Sequence, residues 1–246
     1  MKIIDFLSIL WYNKIIRGEI MTIDKKLIYR IKLVRNNILR GKRLYDFAKE
    51  HSYGKIAVHI LSNKKDIPED VQKCLLEQEN SKSLKHRRDN RSTLEYNLNL
   101  ILGWIVEDYI VDNSSGVFVL NGSDKEREIL VKDEVITHIA DLKNTISGRP
   151  VEVHTEYFTK KDATVQLRDH KYLELKKAEA EILIINIPKR TYILKKVSDF
   201  KAEYVKEYAP FGNKPVYSLS LENKDMYYKP LDNLFSLLQK RVAQLV

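Results

Sequence analysis

The chain has 246 residues, 43% of them apolar and 31% charged. That is room for one large domain, or a small domain joined to a medium one, with a genuine core and a well-solvated surface. Eight glycines and six prolines argue against long disordered linkers, and a single cysteine, Cys74, excludes an internal disulfide and a thiolate metal cluster, so a reducing, cytoplasmic setting is expected.

The net charge of +9 is unevenly placed. Residues 1–94 hold 21 Lys and Arg against 11 Asp and Glu, whereas residues 95–246 hold 22 against 23. A surplus confined to one end suggests a polyanionic partner, nucleic acid or an anionic surface, although a Lys-rich solvated face gives the same count. The first twenty residues are rich in Ile, Leu and aromatics, but Asp5 interrupts them and Lys14 and Arg17 follow. They are too short and too polar to span a membrane, which needs roughly 20 apolar residues. They read as an amphipathic helix that docks on the domain or on a second subunit, and Met21 offers an alternative start.

From residue 24 to 50 the period is helical, with Leu27, Ile28, Ile31, Val34, Ile38 and Leu39 on one face. Arg35, Arg40, Lys42 and Arg43 lie largely elsewhere, free to meet phosphates. Cys74 falls in another helical pattern and reads as a small core residue. Residues 80–91, NSKSLKHRRDNR, form a polar, basic linker or loop, in which Lys85, Arg87, Arg88 and Arg91 are further candidate nucleic-acid contacts. A division follows: a basic, mostly helical region over 1–92 and a second unit over 93–246.

Thr93 is a potential cap for a helix over 94–110, with Leu98, Ile101, Leu102, Ile105 and Tyr109 on its apolar face. Ser114-Ser115-Gly116 ends it. Val117–Leu120 reads as a strand, residues 128–139 as a second strand or hairpin arm, and residues 151–158 as a third. Residues 166–180 read as a helix. Ile182–Ile187 is an unbroken apolar run, the mark of a strand covered on both faces. Residues 190–195 pair with it through a turn at Pro188-Lys189, and 231–246 closes the chain as a helix. The expected fold is therefore α/β, a mixed central sheet flanked by helices.

Among the polar residues, Asp141 follows Ile136–Ala140 at a strand end and Glu152 opens the next strand, after the turn Ser147-Gly148-Arg149-Pro150. Two acids on adjacent strands, facing the same way, suit Mg²⁺, which prefers carboxylates and water. Taken singly, Asp141 reads better as a turn residue capping the 144–150 loop, and Glu152 and Glu156 as the solvent face of an edge strand. The order of elements around the pair raises the catalytic reading. No phosphate-binding glycine loop and no nucleophile elbow is present.

This order, with Asp141, then Glu152-Val153-His154-Thr155, then a helix and a buried strand, resembles the PD-(D/E)XK superfamily, the restriction-endonuclease-like and Holliday-junction-resolvase-like nucleases. The resemblance covers roughly residues 93–200. It implies that Asp141 and Glu152 hold Mg²⁺ or Mn²⁺, that Glu95 on the preceding helix supports the metal, and that Gln166 and Lys171 on the following helix face the site. His154 stands where the family has Lys. Either His154 substitutes chemically, or a lysine reaches in from elsewhere (Lys171 first, Lys143 or Lys160 behind it), or the site binds without cleaving. The implied protein is a metal-dependent DNA endonuclease, a homodimer away from membranes, whose catalytic residues are Asp141, Glu152, His154, Lys171 and Gln166. The alternative is a non-catalytic nucleic-acid-binding protein on the same fold.

Overall fold

The computed structural model describes residues 25–39, 93–122, 125–127, 139–157, 164–221 and 227–243. It is a mixed α/β structure. The elements are α1 (Lys25–Asn37), α2 (Thr93–Asn113), β1 (Phe118–Leu120), β2 (Leu142–Asn144), β3 (Pro150–Glu156), β4 (Val165–Arg168), α3 (Asp169–Lys177), β5 (Glu181–Asn186), β6 (Thr191–Lys196), β7 (Lys201–Tyr208), β8 (Lys214–Ser220), β9 (Lys229–Pro230) and α4 (Leu231–Ala243).

α1 is amphipathic in the expected sense, with Leu27, Ile31 and Val34 buried; it ends at Asn37, and Ile38 and Leu39, buried too, lie in the turn after it, while 40–50 fall outside the described residues. α2 is different. Besides Leu98, Ile101, Leu102 and Ile105, it buries Trp104, Val106 and Ile110. A helix apolar on nearly every side is stable only when surrounded, and α2 runs through the middle of the larger core, among residues of α1, α4 and the sheet. It ends at Asn113, where Ser115 and Gly116 take left-handed backbone conformations.

Six strands form a mixed sheet in the order β1-β2-β3-β5-β6-β9. All its pairings are antiparallel except β3 with β5, which run parallel, Glu152 opposite Ile182 and His154 opposite Ile184. A parallel pair needs a long crossover, and β4 and α3 lie within it. β5 is the expected doubly covered strand. Leu183 and Ile185 face the core that contains α2, and Ile182 and Ile184 face a second core with Tyr172 and Leu175 of α3. Its antiparallel partner β6 follows through the expected turn.

Several expectations change. Residues 166–168, expected as the first turn of a helix over 166–180, form β4 together with Val165, and the helix runs only from Asp169 to Lys177. The reason is visible in the alternation: Val165 and Leu167 are buried, and β4 joins β7 and β8 in a second, three-stranded sheet order β4-β8-β7. Asp141 precedes β2 instead of ending a strand, because the buried alternation begins at Leu142 and continues at Asn144. The strand expected over 128–139 falls, apart from Ile139, outside the described residues. β3 is an interior strand, not an edge. The β2–β3 turn is capped by Asn144, whose Oδ1 accepts the amides of Ile146 and Ser147, while Gly148 supplies the left-handed residue at φ 70°.

Candidate functional site

β2 and β3 pair with Leu142 opposite Val151, which places Asp141 beside the start of β3. The Asp141 carboxylate accepts the Val153 amide through Oδ2 at 2.8 Å. Its own carbonyl accepts the amides of Asn121 and Gly122 at 2.9 and 3.2 Å, so the residue is held from both sides. Glu152, Pro150, His154 and Glu156 share one face of β3 by the alternation of strands. That face is the one against which α3 packs, through Ile182 and Ile184 of the adjoining β5.

Lys171, in the first turns of α3, reaches this face. Its Nζ lies 2.7 Å from Glu152 Oε2 and 3.9 Å from Asp141 Oδ1. All three side chains are largely shielded, at 11% (Glu152), 19% (Lys171) and 22% (Asp141) exposure. Burial, then the Asp141 charge, pushes the Glu152 pKa up to about 8, against the opposing pull of Lys171. For Lys171, burial works against the ammonium. The charges of Asp141 and Glu152, the hydrogen bond to Glu152 and the charge of Glu107 outweigh it and hold the pKa above its ordinary value. Two acids and one lysine, brought from the residue before β2, from β3 and from α3, thus act as one electrostatic unit.

His154 is not part of that contact. Burial lowers its pKa, with Glu156 opposing, and leaves a neutral imidazole. Glu156 accepts Asn186 Nδ2 at 3.0 Å and the Tyr228 hydroxyl at 2.5 Å. The strand face therefore carries two polar groups in sequence, Glu152 with Lys171 and then His154 with Glu156.

Other expected residues fall elsewhere. Glu95 sits in the first turn of α2, where its carbonyl accepts Asn99 Nδ2. The α2 acid whose charge reaches Lys171 is Glu107, twelve positions on and about 18 Å further along the helix axis. Gln166 lies on β4, donates to Thr164 Oγ1 at 2.6 Å and alternates with the core residues Val165 and Leu167, which turns it to the other face. Lys143 is exposed on β2, and Arg35 is exposed on α1. Arg40, Lys42, Arg43, Lys85, Arg87, Arg88, Arg91 and Lys160 lie outside the described residues. His170 stays on the surface, with Nε2 3.9 Å from Asp169 Oδ1.

Sequence reasoning missed Glu107, Asp108 and Arg127. Arg127 is buried, its guanidinium 3.0 Å from Glu107 Oε2 and 2.6 Å from Asp108 Oδ1, and it lies 5.3 Å over the Trp104 ring. The signal was present: two consecutive acids inside a helix otherwise apolar on nearly all sides, where buried charge requires a partner.

The chain matches no family model, no curated protein and no solved structure. Among the described residues, no three His, Cys, Asp or Glu side chains are grouped as a ready-made metal cage, and no helix is long and apolar enough to cross a membrane. The acid pair nevertheless fits Mg²⁺. That ion commonly uses one or two carboxylates and completes its shell with water and substrate phosphate. Burial first and the Asp141 charge second favour the protonated form of Glu152, so a cation bound between the two acids would favour its ionised form.

Proposed function

We propose that the protein is a Mg²⁺- or Mn²⁺-dependent DNA endonuclease of the PD-(D/E)XK type. The observation that carries this reading is the position of Lys171 Nζ between Glu152 of β3 and Asp141, the residue just before the neighbouring β2. The element order supports it: a buried helix, three antiparallel strands, a crossover helix, and a strand parallel to the third. This is the arrangement that the resemblance implies, with the lysine supplied by α3 where the family motif would place it at His154.

In this reading Asp141 and Glu152 hold the metal. A Mg²⁺ ion bound there would lower the pKa of a coordinated water and offset phosphate charge. Lys171 remains protonated at neutral pH, so it acts as a donor and a fixed cation, orienting the attacking oxygen and stabilising charge that builds on the phosphate. His154, kept neutral by burial, is available to accept a proton near neutral pH. The basic region over 1–92 contacts DNA phosphates without reading sequence. Cutting both strands calls for two sites, hence a homodimer, acting in the cytoplasm.

The second reading is a protein that binds nucleic acid without cleaving it. It is favoured by the same contact seen differently, because an ammonium already neutralises the acid pair. Incubation of supercoiled plasmid with Mg²⁺ or Mn²⁺, beside Asp141→Ala, separates the two. Metal-dependent nicking lost in the variant supports the enzyme. Intact plasmid with retained DNA binding supports the alternative.

A further inference from the structure

Beside the acid pair lies a pocket of about 490 Å³. Its lining adjoins each of the three charged residues. Ala140 precedes Asp141, and His170 precedes Lys171. Pro150 shares the β3 face with Glu152, two positions and about 7 Å along the strand. The walls are mostly apolar: Ile139, Ala140 and Pro150 come from the chain around β2 and β3, Leu175 and Ala178 from α3 and the residue after it. Three polar residues join them, Asn121, His170 and Glu174. Asn121 is fixed in place, because its Nδ2 donates to the Ala140 carbonyl at 3.1 Å and its amide to the Asp141 carbonyl at 2.9 Å. Apolar walls with a few placed polar groups, at a volume between about 300 and 1,000 Å³, are the form that holds a small organic ligand.

We infer that this pocket receives the unpaired base of the nucleotide whose phosphate lies at Asp141 and Glu152, so that the substrate is DNA with a nucleotide outside the helical stack. The inference rests on the endonuclease reading above and narrows its substrate. Continuity identifies the occupant. The pocket and the acid pair share Ala140–Asp141, the Pro150–Glu152 face and His170–Lys171, so whatever is attached to a phosphate at the acids is the group that reaches the pocket. On a DNA strand that group is a nucleoside. Its chemistry agrees with the lining, since a base has apolar faces and a polar edge, and the pocket offers apolar walls with Asn121, His170 and Glu174. The state of the base follows from the shape of the site. A paired base is held in the stack by its neighbours and must leave it to enter a pocket, at a cost that is least for a mismatched or already unpaired base. A protein segment would suit the apolar walls equally, but it brings no phosphate to the acids.

The test is binding of the full chain to three labelled duplexes of one sequence, followed by fluorescence anisotropy with Ca²⁺ in place of Mg²⁺ so that cleavage does not intervene. One duplex is fully matched, one carries a single unpaired nucleotide, and one carries an abasic deoxyribose at the unpaired position. The duplex with the unpaired base is expected to bind about ten-fold or more tightly than either of the others, because it alone offers a base already free of the stack. Ala178→Phe and Ile139→Trp each narrow the pocket from an exposed position, Ile139 being 51% exposed, so either serves if the other fails to fold. Both are expected to bring that preference down to within about two-fold. Equal binding of matched and unpaired duplexes, or of the base-bearing and abasic forms, overturns the inference. A preference that survives both variants in folded protein overturns it too, and assigns the pocket to another occupant. A wild-type chain that binds the duplexes without preference and nicks plasmid with metal loses the pocket assignment alone. One that binds none of the three removes the DNA reading itself.

Discussion

Lys171 Nζ lies 2.7 Å from Glu152 Oε2, although nineteen positions separate the two residues in the chain. The contact exists because β3 delivers Glu152 to the face that α3 covers, and α3 is carried there by the crossover to β5. Removing the lysine leaves two shielded acids facing each other. Lys171→Met should lower metal-dependent plasmid cleavage by about a hundred-fold or more, as loss of a donor aimed at developing charge does. It should also destabilise the apoprotein, by on the order of 3 kcal/mol when a buried pair loses one member. Urea unfolding and a nicking assay measure the two effects. Normal cleavage by Lys171→Met would remove the lysine from the mechanism.

His154 offers a contrasting case. It shares the strand face but neighbours Glu156, so His154→Ala should spare DNA binding and reduce turnover by less than Lys171→Met does, about ten- to a hundred-fold for a lost proton acceptor. His154→Lys would place a second cation on the face beside Glu152. If His154→Ala were inert and Lys171→Met active, the roles would be reversed.

Stability should depend on pH in a specific window. The Glu152 pKa is raised from 4.5 to about 8 by burial and by Asp141. Between those values the folded protein holds a proton that the unfolded chain releases, so this residue makes stability fall as pH rises from 4.5 to 8. His154, lowered from 6.5 chiefly by burial, acts the other way below 6.5, where the unfolded chain takes up a proton that the folded protein refuses. Above 6.5 only the Glu152 effect of the two remains. Urea midpoints should therefore decline between about pH 6.5 and 8, and Glu152→Gln should flatten that decline. A midpoint that rises over this interval in wild type would contradict the burial of Glu152.

The β5 strand is a packing test. Ile184 is 2% exposed and meets α3 and the second sheet in one core. Ile184→Ala should cost about 2–5 kcal/mol by lost burial and an unfilled cavity. A cost below about 1 kcal/mol would mean that β5 is not covered on that face.

DNA binding should be electrostatic and tied to the basic end. With a surplus of ten positive charges over residues 1–94, affinity should fall with salt at a slope of about −0.9 per phosphate contact on duplex. A chain beginning at Thr93 should lose most of the affinity. Filter binding at several salt concentrations checks both, and a flat response would remove the basic region from the interface.

The sequence alone carried the local physics. The buried face of α1 at Leu27, Ile31 and Val34, the β5 strand buried on both sides and its return through Pro188-Lys189 follow from periods of 3.6 and 2 and from an unbroken apolar run, and these are present as read. Asp141 and Glu152 were legible as a pair because a turn of known type separates them. What only the tertiary structure decided is which distant groups meet. β4 looked helical because four residues are too few to distinguish the two periods, and pairing with β8 settled it. Glu107 stood ahead of Glu95 because the wrapping of α2 by core, not its sequence, determines which turn lies near Lys171. Lys171 and Arg127 were placed by a crossover and by a stretch of chain bound to α2. Buried charges choose partners through space, and their desolvation makes that choice costly to leave unmade, whereas sequence periodicity reports only which face of a single element turns inward.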